Sequence, residues 1–429
     1  MFLELLIKLN TEILPLVYKV LFVLAPIYIP FLLIVVAVKL YAKYVQLKYI
    51  AKQEPILLEI KIPKDIQKSP LAMEIVLGAM QQSGAATYSE AWLDGKVAPW
   101  FSLELVSIGG EVKFFVWASE KKFKNLLEAQ IYAQYPTVEI YPVPNDKDYA
   151  KLFTYDPAAN QIWGIQYGLT GDDVFPIKTY TDYNLDKDQK DEYRIDPLTA
   201  VIEYLGSIGP GQQAWIQVLI RKHGKIDLKM HSFKKVDDWK KAAKAKIEEI
   251  RAEATPKPKK EGEYPGFPNP TKGQIEQIAA IERSVNKMAF DTCMRGFYLA
   301  TKETFNPIYI TGIIGSIRQY NSSTLNGFKL KTKTDVTDAF KDWCTVFPFL
   351  NDFKDKRVIK LKKLMFNAYK LRSFFYPPYK YYKQDPFILT TEEVATIYHF
   401  PGNVSATPSL PKIPSKKSEA PSNLPVSQK

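Results

Sequence analysis

One stretch constrains the fold more than any other. Between Ile56 and Val143 the sequence reads β-α-β-β-α-β with little slack. ILLEIKI is a strand ended by Pro63. Ser69 and Pro70 then open a helix, a hydroxyl N-cap followed by proline at the first helical position. Leu71, Ala72, Ile75, Val76, Ala79 and Met80 follow at helical spacing. WFSLELVSI and EVKFFVWAS are two strands joined through Gly109-Gly110, a strong hairpin signal. Phe101, Leu103 and Leu105 alternate with Ser102 and Glu104, and Val112, Phe114 and Val116 repeat the pattern. A second helix from about Lys122 to Tyr135 and the strand TVEIYPV complete the unit. This order predicts a ferredoxin-like split βαβ, an antiparallel sheet with both helices on one face.

A hinge rich in Asp, Tyr and Pro (144–160) separates this unit from a second one. QIWGIQYGLT and VFPIKTYTD read as strands, and Asp196-Pro197 opens a helix carrying Leu198, Val201, Ile202 and Leu205. Gly209-Pro210-Gly211 turns the chain into the strand QAWIQVLIRK. An exposed Lys/Glu helix (240–254) follows, then the linker TPKPKKEGEYPGFPNPTK. Beyond it come a helix with Ile275, Ile278 and Ile281, the strand DTCMRGFYLAT, a helix opened by Asn306-Pro307, and NGFKLKT as a last strand. The predicted class is α+β: an amino-terminal transmembrane helix, then two ferredoxin-like domains, 56–143 and 160–350, the second with a Lys/Pro-rich insertion at about 252–272.

The membrane helix is read from an uncharged run of about 19 residues between Lys19 and Lys39, just enough to span a hydrocarbon core of ~30 Å. Residues 1–52 are therefore expected to form an uncleaved anchor, its span at about 16–42. Lys39, Lys43, Lys48 and Lys52 follow it with no acid before Glu54, which predicts a cytoplasmic location for the rest of the chain at an inner membrane. The net charge of +12 favours anionic surfaces, either nucleic acid or lipid. The two cysteines, Cys293 and Cys344, form no disulfide framework or metal-ligand spacing.

Residues 351–402 read as a basic amphipathic helix and an aromatic segment. Val358, Leu361, Met365, Ala368 and Leu371 mark one stripe, while Lys356, Arg357, Lys360, Lys363 and Lys370 crowd the other sides, with Arg372 just beyond. SFFYPPYKYY follows, and its Tyr376, Tyr379, Tyr381 and Tyr382 are candidate stacking platforms for single-stranded nucleic acid. The same cations suit an anionic leaflet or an acidic protein patch. FILTTEEVATIYHFPG is then a strand entering a short helix, and the Ser/Pro/Lys tail 403–429 is expected to be disordered.

No catalytic, cofactor or metal motif stands out. There is no GxxxxGK[ST] sequence to cradle a nucleotide. His223 and His231 have only Asp227 nearby, and the acidic run Asp182–Glu192 lacks the EF-hand pattern. The sequence is thus expected to be neither an enzyme nor a cofactor binder.

Several segments resemble the amino-terminal region of bacterial membrane-anchored type IV secretion and conjugation proteins, whose ATPases belong to the FtsK/HerA superfamily. They are SPLAMEIVL (69–77), PWFSLELVSIGGEVKFFVW (99–117), NLLEAQIYAQYPTVEIYPV (125–143), SIRQYNSSTLNGFK (316–329), LTTEEVATIYHFPG (389–402) and TPSLPKIPSKKSEAPSNLP (407–425). The resemblance places the Thr-Glu-Glu helix just ahead of a motor domain and implies a scaffold for DNA transfer. Without a Walker motif, the chain is expected to be either the anchor half of a split system or a truncation. The partners expected are the membrane, a separately encoded FtsK/HerA-type ATPase, single-stranded DNA and further copies of the chain.

Overall fold

A computed structural model describes residues 14–63, 68–82, 87, 89–187, 195–224, 239–255, 267–336 and 338–402. The chain divides into two compact units. One is built on helix α1 (Leu14–Lys52), with Pro26 and Pro30 inside it. Its portion Phe22–Lys52 is long and apolar enough to cross a membrane, and its most apolar window is unburied. The π-helical turn Glu90–Asp94 belongs to the same unit. It ends at Gly95, whose φ is +70° and where a Cβ would lie 2.3 Å from the carbonyl of Val45. Only glycine can hold that backbone so close to α1.

The other unit carries β1 (Ile56–Lys61), α2 (Leu71–Ala79), β2 (Phe101–Ile108), β3 (Glu111–Ala118), α3 (Lys124–Gln134), β4 (Glu139–Val143), α4 (Tyr149–Leu152) and β5 (Asn160–Leu169). It continues with α5 (Pro197–Gly206), β6 (Gln212–Lys222), α6 (Trp239–Glu253), α7 (Lys272–Val285), β7 (Ala289–Thr301), α8 (Ile308–Gly315), β8 (Phe328–Lys333), α9 (Asp338–Val346), α10 (Asn351–Lys370), β9 (Phe387–Thr390) and α11 (Thr391–Ile397). Among the described residues the strands form one nine-stranded antiparallel sheet, in the order β4-β1-β3-β2-β6-β7-β5-β8, with β9 pairing β7.

The sequence leads one to expect two separate domains, and here the structure differs. The sheet is continuous through β2 and β6, which pair from Phe101↔Ile220 to Ile108↔Gln213. In this register Leu103 faces Val218 and Leu105 faces Ile216, so the apolar faces of the two strands stay in phase and pairing conceals two open edges. The segment VFPIKTYTD is also not a strand. Its backbone groups bond elsewhere: the Ile177 N–H donates to Glu393, that of Lys178 to the Tyr320 carbonyl and that of Tyr180 to the Thr396 hydroxyl. The hinge is ordered around α4, with Asp148 as its N-cap.

Helices cover one face of the sheet. Leu58, Leu103, Phe114, Val218 and Met294 from the strands join Val76, Leu127, Ile202 and Ile313 from the helices in one apolar cluster. Gly296 lies on this face, and a Cβ there would come within 2.8 Å of the Ile313 side chain, so its absence lets α8 pack close. The Thr-Glu-Glu helix α11 is buried along its whole length and packs against α2 and α5. Far from being a terminal appendage, it fills the helical layer between the two halves. The Lys/Glu helix α6 is not wholly exposed either, because Ala243, Ile247 and Ile250 pack with Val174 and Ile281. The tail 403–429 lies outside the described residues, as do Asp227, His231 and most of the linker.

Candidate functional site

The opposite face of the sheet holds the basic region and what lies beneath it. Cross-strand register aligns Phe115, Glu104, Gln217, Arg295 and Gln166 in one row across five strands. Alternation alone would leave Glu104 and Gln217 in water. Instead both are fully buried, because α10 and the segment after it cover them. Met365, Phe366, Ala368 and Tyr369 are the buried residues of α10. Phe366 stacks on Trp215 with ring centroids 5.9 Å apart, and Tyr369 meets Phe297 edge-on at 5.3 Å.

Burying Glu104 requires a counter-charge, and Arg372 supplies it. Arg372 Nε and Nη2 donate to the two Glu104 oxygens, each at 3.0 Å, while Nη1 and Nη2 donate to Asp148 at 2.5 and 3.1 Å. Such forked pairing matches the planar guanidinium to both carboxylates. The Ser102 and Tyr149 hydroxyls and the Gln217 amide complete the Glu104 shell at 2.7, 2.8 and 2.9 Å. Burial disfavours the charged form of Arg372, but the facing carboxylates outweigh it and hold its pKa well above the usual value. Two carboxylates face one guanidinium here, and fully buried Arg295, two strands along the row from Glu104, brings the second positive charge. Arg295 donates to the Ser373 carbonyl at 3.1 Å, while its Nε and Nη1 have no hydrogen-bond partner among the described residues. The side-chain oxygens of Gln166, Gln217 and Gln384 also lack partners, so the deficit in this layer is of both donors and acceptors.

The aromatic segment is strapped down by a second ion pair. Arg221 binds Asp291 through Nε at 3.2 Å and Nη2 at 2.5 Å, and Asp291 also bonds His223 at 2.7 Å. From that anchor Arg221 donates to the hydroxyls of Tyr376 and Tyr381 and lies over the rings of Phe375 and Tyr376. The Trp100 indole donates to the Arg372 carbonyl at 2.9 Å, and the Ala98 N–H donates to Tyr376 Oη. Arg372, Tyr381 and Lys383 all have positive φ, at 47°, 46° and 56°. Non-glycine residues hold this left-handed backbone only where their surroundings fix it.

These contacts divide the residues expected to bind an anionic surface. Arg372 and Tyr376 are buried and serve the fold; they are not open to a ligand, which corrects the sequence reading. Tyr379, Tyr381 and Tyr382 are half-buried, and Tyr379 and Tyr382 meet edge-on. Lys370 donates to the Phe153 carbonyl at 3.0 Å. Lys356, Arg357, Lys360 and Lys363 remain on the exposed side of α10. Sequence reasoning missed Glu104, Asp148, Gln217 and Arg295. A signal was present: Phe115 and Trp117 are large and apolar on the face that alternation assigns to solvent, so a cover was required.

The family described as a domain of unknown function (DUF8128) matches residues 38–411. The chain belongs to this family. No curated protein matches it.

Proposed function

We propose that this DUF8128 chain is a non-enzymatic, membrane-anchored scaffold that docks a separate cytoplasmic ATPase in a type IV secretion or conjugative DNA-transfer apparatus. The observation that carries the reading is the pairing of a membrane-length helix with a sheet packed on both faces, whose buried acids and bases largely serve one another. Such a body offers surfaces to partners. The six segments that resemble the secretion family support the choice of apparatus.

On this reading the sheet is two ferredoxin-like repeats fused edge to edge. The strand orders β4-β1-β3-β2 and β8-β5-β7-β6 support that view. The soluble part lies in the cytoplasm, as the lysines after the span favour. Deleting the chain in its own cell should move the partner ATPase from the membrane to the soluble fraction and stop DNA transfer. ATP hydrolysis by the purified chain alone, or undisturbed transfer after deletion, rules the scaffold out. The alternative, a tethered single-stranded DNA binder, keeps Lys356, Arg357, Lys360 and Lys363 but loses Arg372 and Tyr376 to the interior. It requires salt-sensitive oligonucleotide binding.

A further inference from the structure

Among the described residues of α9 and the turn after it, several large apolar side chains face outward. On α9 Cys344 is buried, whereas Trp343 is 63% and Val346 69% exposed. The exposure continues through Phe347, through Phe349 at 77% and to Phe353 near the start of α10. Trp343 and Phe347 have ring centroids 6.0 Å apart, as do Phe347 and Phe349, so three aromatics form one connected cluster. Aromatic side chains of about 150–250 Å² each make this an exposed apolar surface of the size that marks a contact site.

Directly after the aromatics, α10 exposes Lys356, Arg357, Lys360 and Lys363. Aromatic residues beside a basic face are the composition of segments that lie in a lipid interface. Their rings enter the boundary between headgroups and acyl chains while the cations meet anionic headgroups. A nucleic acid would be met by the cations and would stack bases on the rings, but it gives no reason for the exposed aliphatic Val346. The chain also carries a helix able to cross a membrane, and tethering raises the effective concentration of lipid around the patch. We infer that residues 343–363 form a second, interfacial membrane contact, in which Trp343, Phe347 and Phe349 insert into an anionic lipid surface.

The inference rests on the anchoring part of the proposed function, and the two can be tested apart. The full chain is reconstituted into vesicles of phosphatidylcholine with phosphatidylglycerol, with acyl chains brominated near the headgroup, and alkaline extraction first establishes that it is inserted. Bromolipid should quench the emission contributed by Trp343, defined as the part lost in Trp343→Phe. That quenching should weaken in pure phosphatidylcholine and vanish in Phe347→Ser/Phe349→Ser, whose exposed sites leave the fold intact. Trp100, Trp117, Trp215 and Trp239 are buried and Trp92 and Trp163 half-buried; all six are retained in Trp343→Phe, so their emission cancels in that difference. If an inserted chain keeps Trp343 open to aqueous iodide and untouched by bromolipid, the lipid contact is refuted. Protection of Trp343 by an added single-stranded oligonucleotide but not by lipid overturns it in favour of nucleic acid. Release of the chain by alkaline extraction overturns the anchor itself.

Discussion

The two faces of the sheet solve the same problem by different chemistry. The helical face is closed by aliphatic and aromatic side chains, with Leu58, Val76 and Ile202 fully buried. The other is closed by one helix and an irregular strap over a row that includes Glu104, Gln217 and Arg295. Apolar packing tolerates many arrangements of similar volume. A buried carboxylate accepts few, because each unpaired oxygen costs its full desolvation. The polar face therefore dictates where the strap lies, and the left-handed backbone at Arg372 is part of that specification.

The contrast is broken most directly at Arg372. Arg372→Met leaves Glu104 and Asp148 buried without their partner and should cost about 3–5 kcal/mol, read as a fall in the thermal midpoint of the detergent-solubilised full chain. Adding Glu104→Gln and Asp148→Asn removes the two unpaired carboxylates and should recover part of the loss, the remainder reflecting the charge of buried Arg295. If Arg372→Met alone is neutral, the ion cluster does not specify the strap.

On the apolar face the expected effect is somewhat smaller and should have no such rescue. Leu58→Ala should cost about 2–5 kcal/mol through lost burial and a residual cavity. It should add to Arg372→Met, since the two act on opposite faces. Strong coupling in the double mutant would show that the layers are not independent.

The smallest effect belongs to pH, and it arises in the helical layer at α11. Burial raises the Glu393 carboxyl to about 7, against the N–H groups of Thr390 and Ile177 that favour its charge. Burial alone would lower His399, but Asp196, 3.1 Å away, outweighs it and raises the imidazole. A raised folded pKa contributes stability that is present at low pH and lost as pH rises through it. Glu393 contributes this loss up to about 7, and His399 above its usual 6.5. Asp196 is lowered despite its burial, through His399, and acts in the opposite sense only at acid pH. Going from pH 6 to 8.5 should thus lower the midpoint by roughly 2–4 °C, and His399→Gln should flatten that slope. A midpoint that climbs over this range contradicts the assignment.

How much was legible beforehand follows the range of the interactions. The alternation in β2 and β3, the Asp-Pro helix start and the Gly109-Gly110 turn are local, and they placed most elements; Ser69-Pro70 marks the start of α2 only in position, since Pro70 occupies the cap and the Ser69 hydroxyl does not cap the helix. The join of β2 to β6 is not local, since nothing in either strand names its partner. The polar row was hidden for the same reason. Ser102 and Glu104 follow the pattern of a wet face, and the residue that buries them, Arg372, lies 268 positions away. Arg372 accordingly looked like one more cation on a basic helix. VFPIKTYTD failed because its backbone partners, Glu393 and Thr396, belong to a helix far along the chain.

The fusion of β2 with β6 also bears on self-assembly. It leaves β4 and β8 as the outer strands of the series. One carries Pro142, which has no N–H to offer, and the other carries Lys329, Lys331 and Lys333. Neither terminus suits extension by a neighbouring strand. Strand-to-strand assembly of copies through these two edges is therefore disfavoured, and a ring or cluster of them would form through other surfaces.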